Sequence, residues 1–414
     1  MAKPLEDLLV LDLTRFLSGP YCTLILGGLG AEVIKIEEPG IGDPTRDTYP
    51  FAGKAGVTIE RSSDEDLSLG ILHRARNKKS ITLNLKSEKG KELFRELVRR
   101  ADVLVENFAA GVMERLGLAY EVLREINPRM IYCSISGFGH TGPNRDFTAF
   151  DPVIQAMSGA TAMTGFPEGP PVRPGIAAGD TTAPFHALVG ILTALHWRER
   201  TGQGQAVDIS MQDCLFFTLP DSVELYAAGD LPRRAGNTHL NPGGRRTAPF
   251  NLYRTRDGEF VICGSTEKQW NGVLQAIGRE DLIGDPRYAQ KSQRGTRADE
   301  VDLLIQGWAE QRSLQEALEV LREQRVPCGP VLGIDQLMGD PQIRAREMAV
   351  ALEHPTLGQL DGLQGLGLPV KLSQTPGKFD RPAPLLGQHN QEVYRDLLGL
   401  SAEELERLKQ EGVV

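Results

Sequence analysis

Along the first third of the chain, segments with the hydrophobic pattern of a strand alternate with segments that have the pattern of a helix. Apolar runs at residues 8–13 and 32–37 have the length and the β-branched content of buried strands, and residues 21–29 between them have the pattern of a helix. Further strands are predicted at residues 81–85, 103–106, 130–134 and 206–209, and further helices at residues 88–100 and 120–126. Strands that alternate with helices predict a parallel sheet covered by helices, which is a Rossmann-like open α/β domain.

A change of composition near the middle divides the chain into three predicted parts. Residues 227–247 are rich in Gly, Pro, Asn and Arg and have little periodicity, which predicts a linker or an active-site loop. A predicted hairpin and amphipathic helices follow, so we expect a large domain at residues 1–226 and a linker with a small α+β domain at residues 227–330. Residues 331–414 show mixed loops without the apolar content of an independent core. We expect this return segment to pack on the large domain.

Composition restricts the classes of partner. The 414 residues carry a formal net charge of −9, so no broad basic face is available for nucleic acid. No segment is long and apolar enough to span a bilayer, and the acidic start of the chain is unlike a signal peptide, so a cytoplasmic location is expected. The five cysteines lack paired metal-type spacing, and no metal site is predicted.

The glycines near the first helix do not form a dinucleotide fingerprint. Residues 27–30 (GGLG) lie at the end of the predicted helix and not in the first strand-to-helix turn. The sequence therefore predicts no NAD site and no permanently bound cofactor.

The carboxylate of Asp180 is the strongest candidate for chemistry. It lies just before the apolar run of residues 184–197, which predicts a long and mostly buried helix. Thr182 is the predicted N-cap and Pro184 falls near the first helical position, so Asp180 would lie close to the positive end of the helix. That position keeps a carboxylate ionised, as a nucleophile requires. The alternative is that Asp180 only helps to cap the helix.

A compact basic cluster occupies residues 73–80 (HRARNKKS), directly before the predicted strand at residues 81–85. Two interpretations follow from the residues alone. The cluster is a solvated turn, or it meets an anionic ligand.

Several segments, in matching order and spacing over almost the entire chain, resemble the class III coenzyme A transferases. This family includes formyl-CoA transferase, carnitine CoA-transferase and the α-methylacyl-CoA racemases. The matching segments are residues 10–14, 18–20, 29–37, 77–81, 101–108, 150–159, 179–180, 201–205, 327–330 and 384–387.

The resemblance implies a fold, an assembly and a mechanism. It implies a large Rossmann-like domain, a small domain and an interlocked homodimer, with an acyl-CoA and a small carboxylic acid as partners. Asp180 matches the family's nucleophile, which forms a mixed anhydride with the acyl group and then an aspartyl-CoA thioester. Coenzyme A thioesters would therefore be substrates.

Residue matching also implies contacts to coenzyme A. Asn107 and Phe108 would hold the pantetheine or the adenine, and Arg115 would contact a phosphate. The cluster would supply further phosphate contacts through Arg76, Lys78 and Lys79. One departure is that Glu38 and Pro39 follow the second strand, where relatives often carry arginine.

Glycine-rich backbone suits the donors that a developing oxyanion needs. Gly243, Gly244 and the Gly179 amide are candidates for this role, although each also fits a plain turn. Arg245 and Arg246 follow the pair and are candidates for binding a second carboxylate, which favours succinyl-CoA and a small dicarboxylate. A surface-loop arginine pair is the alternative.

Two other functions remain as alternatives. A 2-methylacyl-CoA racemase needs an acid and a base on either side of the α-carbon, but Phe150 occupies the position where the family's racemases carry histidine. His186, on the helix after Asp180, fits a structural role better. A non-catalytic CoA-binding protein would be expected to lack the carboxylate at position 180.

Overall fold

The computed structural model of the chain describes residues 2–241 and 245–414, which divide into two units. The first unit contains the chain up to Ser158 together with Ile176–Phe216 and Met338–Val414, and the second contains Gly159–Gly175 and Phe217–Leu337. The second unit thus includes Gly159–Gly175, a short segment before Asp180 that was predicted to belong to the large domain.

A six-stranded parallel sheet lies at the centre of the first unit. Its strands are β1 (Leu9–Asp12), β2 (Glu32–Glu37), β3 (Lys78–Thr82), β4 (Val103–Glu106), β5 (Ile131–Ser136) and β6 (Ala206–Ser210). Their order is β3-β2-β1-β4-β5-β6, which confirms the predicted open α/β sheet. The order reverses between β1 and β4, and ligands of such sheets bind beyond the carboxyl ends of the strands at this point.

Helices cover the sheet, and they include those that the apolar pattern predicts at residues 21–29, 88–100 and 120–126. They are α1 (Ser18–Gly28), α2 (Leu69–Arg74), α3 (Glu88–Val98), α4 (Val112–Leu116), α5 (Tyr120–Ile126), α6 (Asp151–Met157), α7 (Ala178–Thr201) and α8 (Met211–Phe216). The predicted apolar stripe of α3 is buried in the core, through Leu93, Phe94, Leu97 and Val98.

Smaller elements complete the first unit. Short antiparallel strands lie at Phe51–Gly53, Gly56–Thr58 and Leu67–Ser68, a 3-10 turn at Pro44–Asp47, a helix at Pro341–Ala345, a hairpin at Ala349–His354 and Gly358–Leu366, and a π-helical turn at Glu392–Leu397. A capping box begins the last helix, Ala402–Gln410, because Ser401 and Glu404 bond reciprocally at its start.

The second unit has a three-stranded antiparallel sheet and its own apolar core. The predicted hairpin is confirmed by β7 (Phe250–Arg254) and β8 (Glu259–Cys263), and β9 (Cys328–Pro330) pairs with β8. Its helices are Ala160–Met163, Pro220–Ala227, Glu267–Ala276, Lys291–Thr296, Ala298–Ala309, Leu314–Glu323 and Ile334–Leu337, with a 3-10 turn at Glu280–Leu282 and a short strand pair at Leu240–Asn241 and Arg245–Arg246.

Two classes of feature are not found within residues 2–241 and 245–414. No helix there is long and apolar enough to cross a membrane. No group of three or more His, Cys, Asp or Glu side chains is placed to hold a metal ion.

A buried ion pair joins the first and third strands. The Lys78 ammonium donates to the Asp12 carboxylate at 2.9 Å, and both side chains are fully excluded from solvent. Burial alone would raise the pKa of Asp12, but Lys78 and Lys35 outweigh it and lower the pKa to about 2. Thr14 and Thr23 donate hydroxyl hydrogen bonds to the same carboxylate, so its charge is well compensated.

Lys78→Met should lower the free energy of unfolding by about 3–5 kcal/mol, because Asp12 would remain as a buried carboxylate without its cation. Urea denaturation measures the loss. Lys79→Met is the matched control: its ammonium pairs with the half-exposed Glu32 and Glu392, so removing it should change stability by about 1 kcal/mol or less. Equal losses in the two variants would contradict the assignment.

Candidate active site

A cavity of about 490 Å³ opens at the point where the strand order reverses. Its walls come from the segments that follow β1, β4 and β5 and from the starts of α1, α6 and α7. The lining residues include Arg15, Phe16, Leu17, Ser18, Asn107, Phe108, Arg145, Phe150, Asp151 and Asp180. The structure therefore brings Asn107, Phe108 and Asp180 to one cavity, at the place that the sheet topology favours.

Helix α7 begins earlier than predicted. Its first residue is Ala178, so Asp180 lies within the first turn, and Pro184 lies inside the helix and not at its start. The predicted N-cap is wrong because the Thr182 hydroxyl donates to the Ala178 carbonyl at 2.7 Å, four residues back. Thr181 does the same to the Ala177 carbonyl, and such bonds within a helix satisfy hydroxyls that elsewhere would form a cap.

The cap of α7 comes from Asp151. Its Oδ1 accepts hydrogen bonds from the backbone N–H groups of Gly179, at 2.8 Å, and of Asp180, at 3.4 Å. Its Oδ2 accepts from the side chain of Gln155 at 2.6 Å. Among the described residues, no side chain or backbone group hydrogen-bonds the carboxylate of Asp180. Asp151 therefore caps α7, which was the alternative role considered for Asp180. The Asp180 carboxylate is left available at the cavity.

Burial, rather than the helix dipole, dominates the electrostatics of Asp180. Desolvation and then the charge of Asp151 raise its pKa from 3.8 to about 6, while Arg74 opposes them. The sequence predicted a carboxylate held firmly in its ionised form, but burial shifts the pKa of Asp180 toward neutrality, so the charge is held less firmly than on an exposed aspartate.

Four side chains from three segments of the chain fix the connection between β1 and α1. Asn107 accepts from the Arg15 N–H at 2.8 Å and donates to the Arg15 carbonyl at 2.9 Å. Asp43 accepts from the Phe16 N–H, while Arg74 and Thr45 donate to the Phe16 carbonyl. Asn107 thus shapes the wall of the cavity through its amide.

Phe108 lies between two cavities. Together with Arg15 it lines the 490 Å³ cavity and a second one of about 270 Å³, to which Glu38 and Lys86 also contribute. The guanidinium of Arg15 lies over the Phe108 ring, 5.3 Å from its centroid. Glu38 lies where relatives often carry arginine, and it pairs with Lys86 at 2.8 Å.

Arg115 lines a separate cavity of about 560 Å³, which shares Ala110 and Arg145 with the one that contains Asp180. It is exposed at the end of α4, and its guanidinium lies against Gly111.

The predicted phosphate cluster is not found at the cavity. Strand β3 begins at Lys78, so Lys78 and Lys79 lie within the sheet and not in a turn before it. Lys78 is buried against Asp12, and Lys79 pairs with two carboxylates. Arg76 is buried, donates to the Leu366 carbonyl and stacks on Phe379. The solvated-turn interpretation is wrong as well, because these charges are satisfied inside the fold.

The glycine pair Gly243 and Gly244 lies outside the described residues. Arg245 is exposed in the second unit, where it lines a cavity of about 530 Å³ with Arg246 and Lys291. Arg246 is paired with Asp299 and Asp302.

Sequence reasoning missed Arg15, Phe16 and Arg145 as lining residues. Arg15 and Phe16 follow β1 as Asn107 and Phe108 follow β4, so applying the switch-point rule to both strands would have found them. Arg145 lies in a loop without periodicity, and no sequence signal marks it.

Comparison with known proteins identifies the family. The family model described as CoA-transferase family III matches residues 5–390. The chain is 39% identical to the succinyl-CoA–D-citramalate CoA-transferase of Chloroflexus aurantiacus, over all of this chain and 98% of that protein. It is 38% identical to the formyl-CoA:oxalate CoA-transferase of Streptomyces avermitilis, over the full length of both.

A solved structure gives the same result. The crystal structure of a CAIB/BAIF family protein from Brucella suis superposes with a TM-score of 0.82 and 34% identity, covering 96% of this chain and all of that one. The chain therefore belongs to CoA-transferase family III and is a class III CoA-transferase.

Proposed function

We propose that the enzyme moves coenzyme A from an acyl-CoA to a small free carboxylic acid through covalent intermediates on Asp180. The observation that carries the proposal is the Asp180 carboxylate itself. It lines the cavity at the switch point and has no hydrogen-bond partner in the described part of the chain. A carboxylate left free in this way at the edge of a cavity is placed to attack.

All the covalent intermediates form on one side chain. An Asp180 oxygen bonds to the thioester carbon, and the carbon–sulfur bond breaks to release CoA thiolate and leave a mixed anhydride. The thiolate then attacks the Asp180 carbonyl, which frees the donor acid and leaves an aspartyl-CoA thioester. An acceptor carboxylate attacks that thioester and expels CoA thiolate, which leaves a second mixed anhydride. The thiolate then attacks the acceptor carbonyl of this anhydride, which forms the new acyl-CoA and releases the Asp180 carboxylate. Every intermediate stays activated, so exclusion of water preserves the energy of the thioester.

Coenzyme A fits across Phe108. We place its nucleotide end toward the 270 Å³ cavity, where Arg15 and Lys86 supply positive charge, and its thiol end in the cavity of Asp180. Arg115, on the neighbouring cavity, stays a proposed phosphate contact. Arg76, Lys78 and Lys79 are not proposed, because none of them lines these cavities.

Succinyl-CoA is the proposed donor and a small dicarboxylic acid the proposed acceptor. The relative from Chloroflexus aurantiacus supports this choice through its name. Arg15 and Arg145 line the cavity with Asp180 and are the cations that a second substrate carboxylate would meet.

The racemase alternative is less well supported. Phe150 contacts Phe16 edge to face, with ring centroids 5.7 Å apart, and an aromatic ring cannot exchange a proton. The described lining residues of the cavity include no histidine. His186 hydrogen-bonds the Thr182 carbonyl of its own helix at 3.0 Å.

A homodimer is proposed from an apolar surface on the first unit. Helix α7 was predicted to be mostly buried, but the fully buried part is only one side of it. Large apolar side chains that remain exposed on it are Phe185, Val189, Leu192 and Trp197. A row of this kind on one helix is typical of a subunit interface. The family resemblance suggests that the two chains interlock.

Asp180→Asn should lower transfer by about 10⁴-fold or more while coenzyme A binding is kept, because an amide cannot form the anhydride. Transfer is measured with a panel of acyl-CoAs and free acids, with mass detection of new thioesters. Hydroxylamine added to wild-type enzyme and acyl-CoA should trap a modification on the peptide that contains Asp180.

Asp213→Asn is the matched control, since Asp213 is the third residue of α8 as Asp180 is of α7. This variant should keep wild-type transfer. Near-normal turnover of Asp180→Asn, or trapping at another residue, would refute the proposed nucleophile.

The pH profile should reflect the raised pKa of Asp180. Because the ionised form attacks, kcat/KM for the acyl-CoA should fall as the pH drops through about 6, where an ordinary aspartate would still be charged. Asp151→Asn keeps an acceptor for the Gly179 N–H and removes the neighbouring charge, so the inflection should move to lower pH. An unchanged inflection would exclude Asp151 as a cause.

Light scattering at micromolar concentration should give twice the mass of one chain, and a stable monomer would contradict the dimer. Interlocking has a kinetic consequence, since linked chains separate only by unfolding. Two differently tagged preparations should therefore form no mixed dimers within hours of mixing, whereas co-expression of both tags should. Rapid exchange would indicate a dimer that is not interlocked.

A further inference from the structure

Ser18 has a buried hydroxyl without a hydrogen-bond partner in residues 2–241 and 245–414. The residue is 3% exposed and lines the same cavity as Asp180. Neighbouring hydroxyls are satisfied, since Thr14 and Thr23 both donate to Asp12. A buried hydroxyl that lacks a partner destabilises a protein, so its presence at the cavity indicates a ligand that supplies the partner.

The backbone around Ser18 points to an anionic partner. Ser18 is the first residue of α1, a helix of 11 residues, and no side chain caps its start. The N–H groups of Ser18 and Gly19 therefore lack intrahelical acceptors, and the helix dipole adds positive potential at the same place. Pro20, the next residue, has no N–H to contribute.

Gly19 permits this arrangement through its lack of a side chain. A Cβ at position 19 would lie 2.4 Å from Cγ2 of Thr14, which is too close for any larger residue. The start of α1, which includes Ser18, can therefore approach the end of β1 closely beside the cavity.

We propose that the Ser18 hydroxyl, together with the N–H groups at the start of α1, stabilises the oxyanion that forms when Asp180 attacks the thioester. The inference rests on the proposed function. As the Asp180 oxygen bonds to the carbonyl carbon, the π electrons move to the carbonyl oxygen, and Ser18 Oγ–H donates to that oxygen. When the carbon–sulfur bond breaks, the electrons return and the thiolate leaves. No proton is transferred, so Ser18 is regenerated unchanged.

Ser18→Ala tests the proposal in the full-length enzyme. We expect kcat to fall by about 10²-fold, in the range seen when one oxyanion donor is removed, with KM for the acyl-CoA nearly unchanged. Because the lost hydroxyl has no partner in the free enzyme, the unfolding temperature should stay the same or rise. Ser158→Ala is the control: that serine is also buried but lies outside the cavity, and its hydroxyl bonds the Gln155 carbonyl.

Single-turnover acylation of Asp180, followed by hydroxylamine trapping, separates the possible outcomes. Slower acylation in Ser18→Ala than in Ser158→Ala and wild type would support the oxyanion role. Acylation at the wild-type rate would overturn it and leave the proposed function standing. A slower rate with a lower unfolding temperature or lost coenzyme A binding would also overturn it, because Ser18 would then be structural. If wild-type enzyme forms no adduct at Asp180, the proposed function itself fails.

Discussion

The active cavity depends on one short connection, the turn that leads from β1 to α1. Phe16 lies there with φ at 65°, in the left-handed region that residues with a side chain rarely adopt and that is unfavourable by about 1 kcal/mol or more. The turn aims the start of α1 at the cavity. It persists because surrounding side chains bind its backbone: Lys35 holds the Thr14 carbonyl at 2.8 Å, and Asp43 holds the Phe16 N–H.

Buried charge supplies this restraint. Lys35 pairs with Asp43 at 2.9 Å below the turn, and both side chains are almost fully excluded from solvent. Burial alone would disfavour both charges, but the carboxylates around Lys35 outweigh it and raise the pKa of the ammonium. Charges that cannot reach water hold their partners in one geometry. The carboxyl edge of the sheet, where the cavity opens, is thus stiffened from beneath by ion pairs.

Periodicity predicted the sheet because strands buried on both faces leave a local signal, whereas Asn107 and Phe108 were named through the family resemblance. The interior charges left no such signal. Lys78 and Lys79 have the composition of a solvated turn, and only the position of Asp12, 66 residues earlier, shows that Lys78 is buried. The start of α7 was misplaced for a local reason, since Thr182 and Pro184 match a helix start in composition. Ser18 was missed because an unsatisfied hydroxyl is visible only in three dimensions.

Asp180 has to meet two opposing requirements. A nucleophile must be charged, whereas an acyl-aspartate intermediate survives only where water is scarce, and scarcity of water disfavours the charge. The charge of Asp151, which also caps the helix, further disfavours ionisation of Asp180, whereas the charge of Arg74 favours it. The balance leaves the pKa of Asp180 about one unit below neutrality. A carboxylate in that range remains mostly ionised at neutral pH yet is more basic than an exposed aspartate, so it attacks the thioester more readily without being lost to protonation.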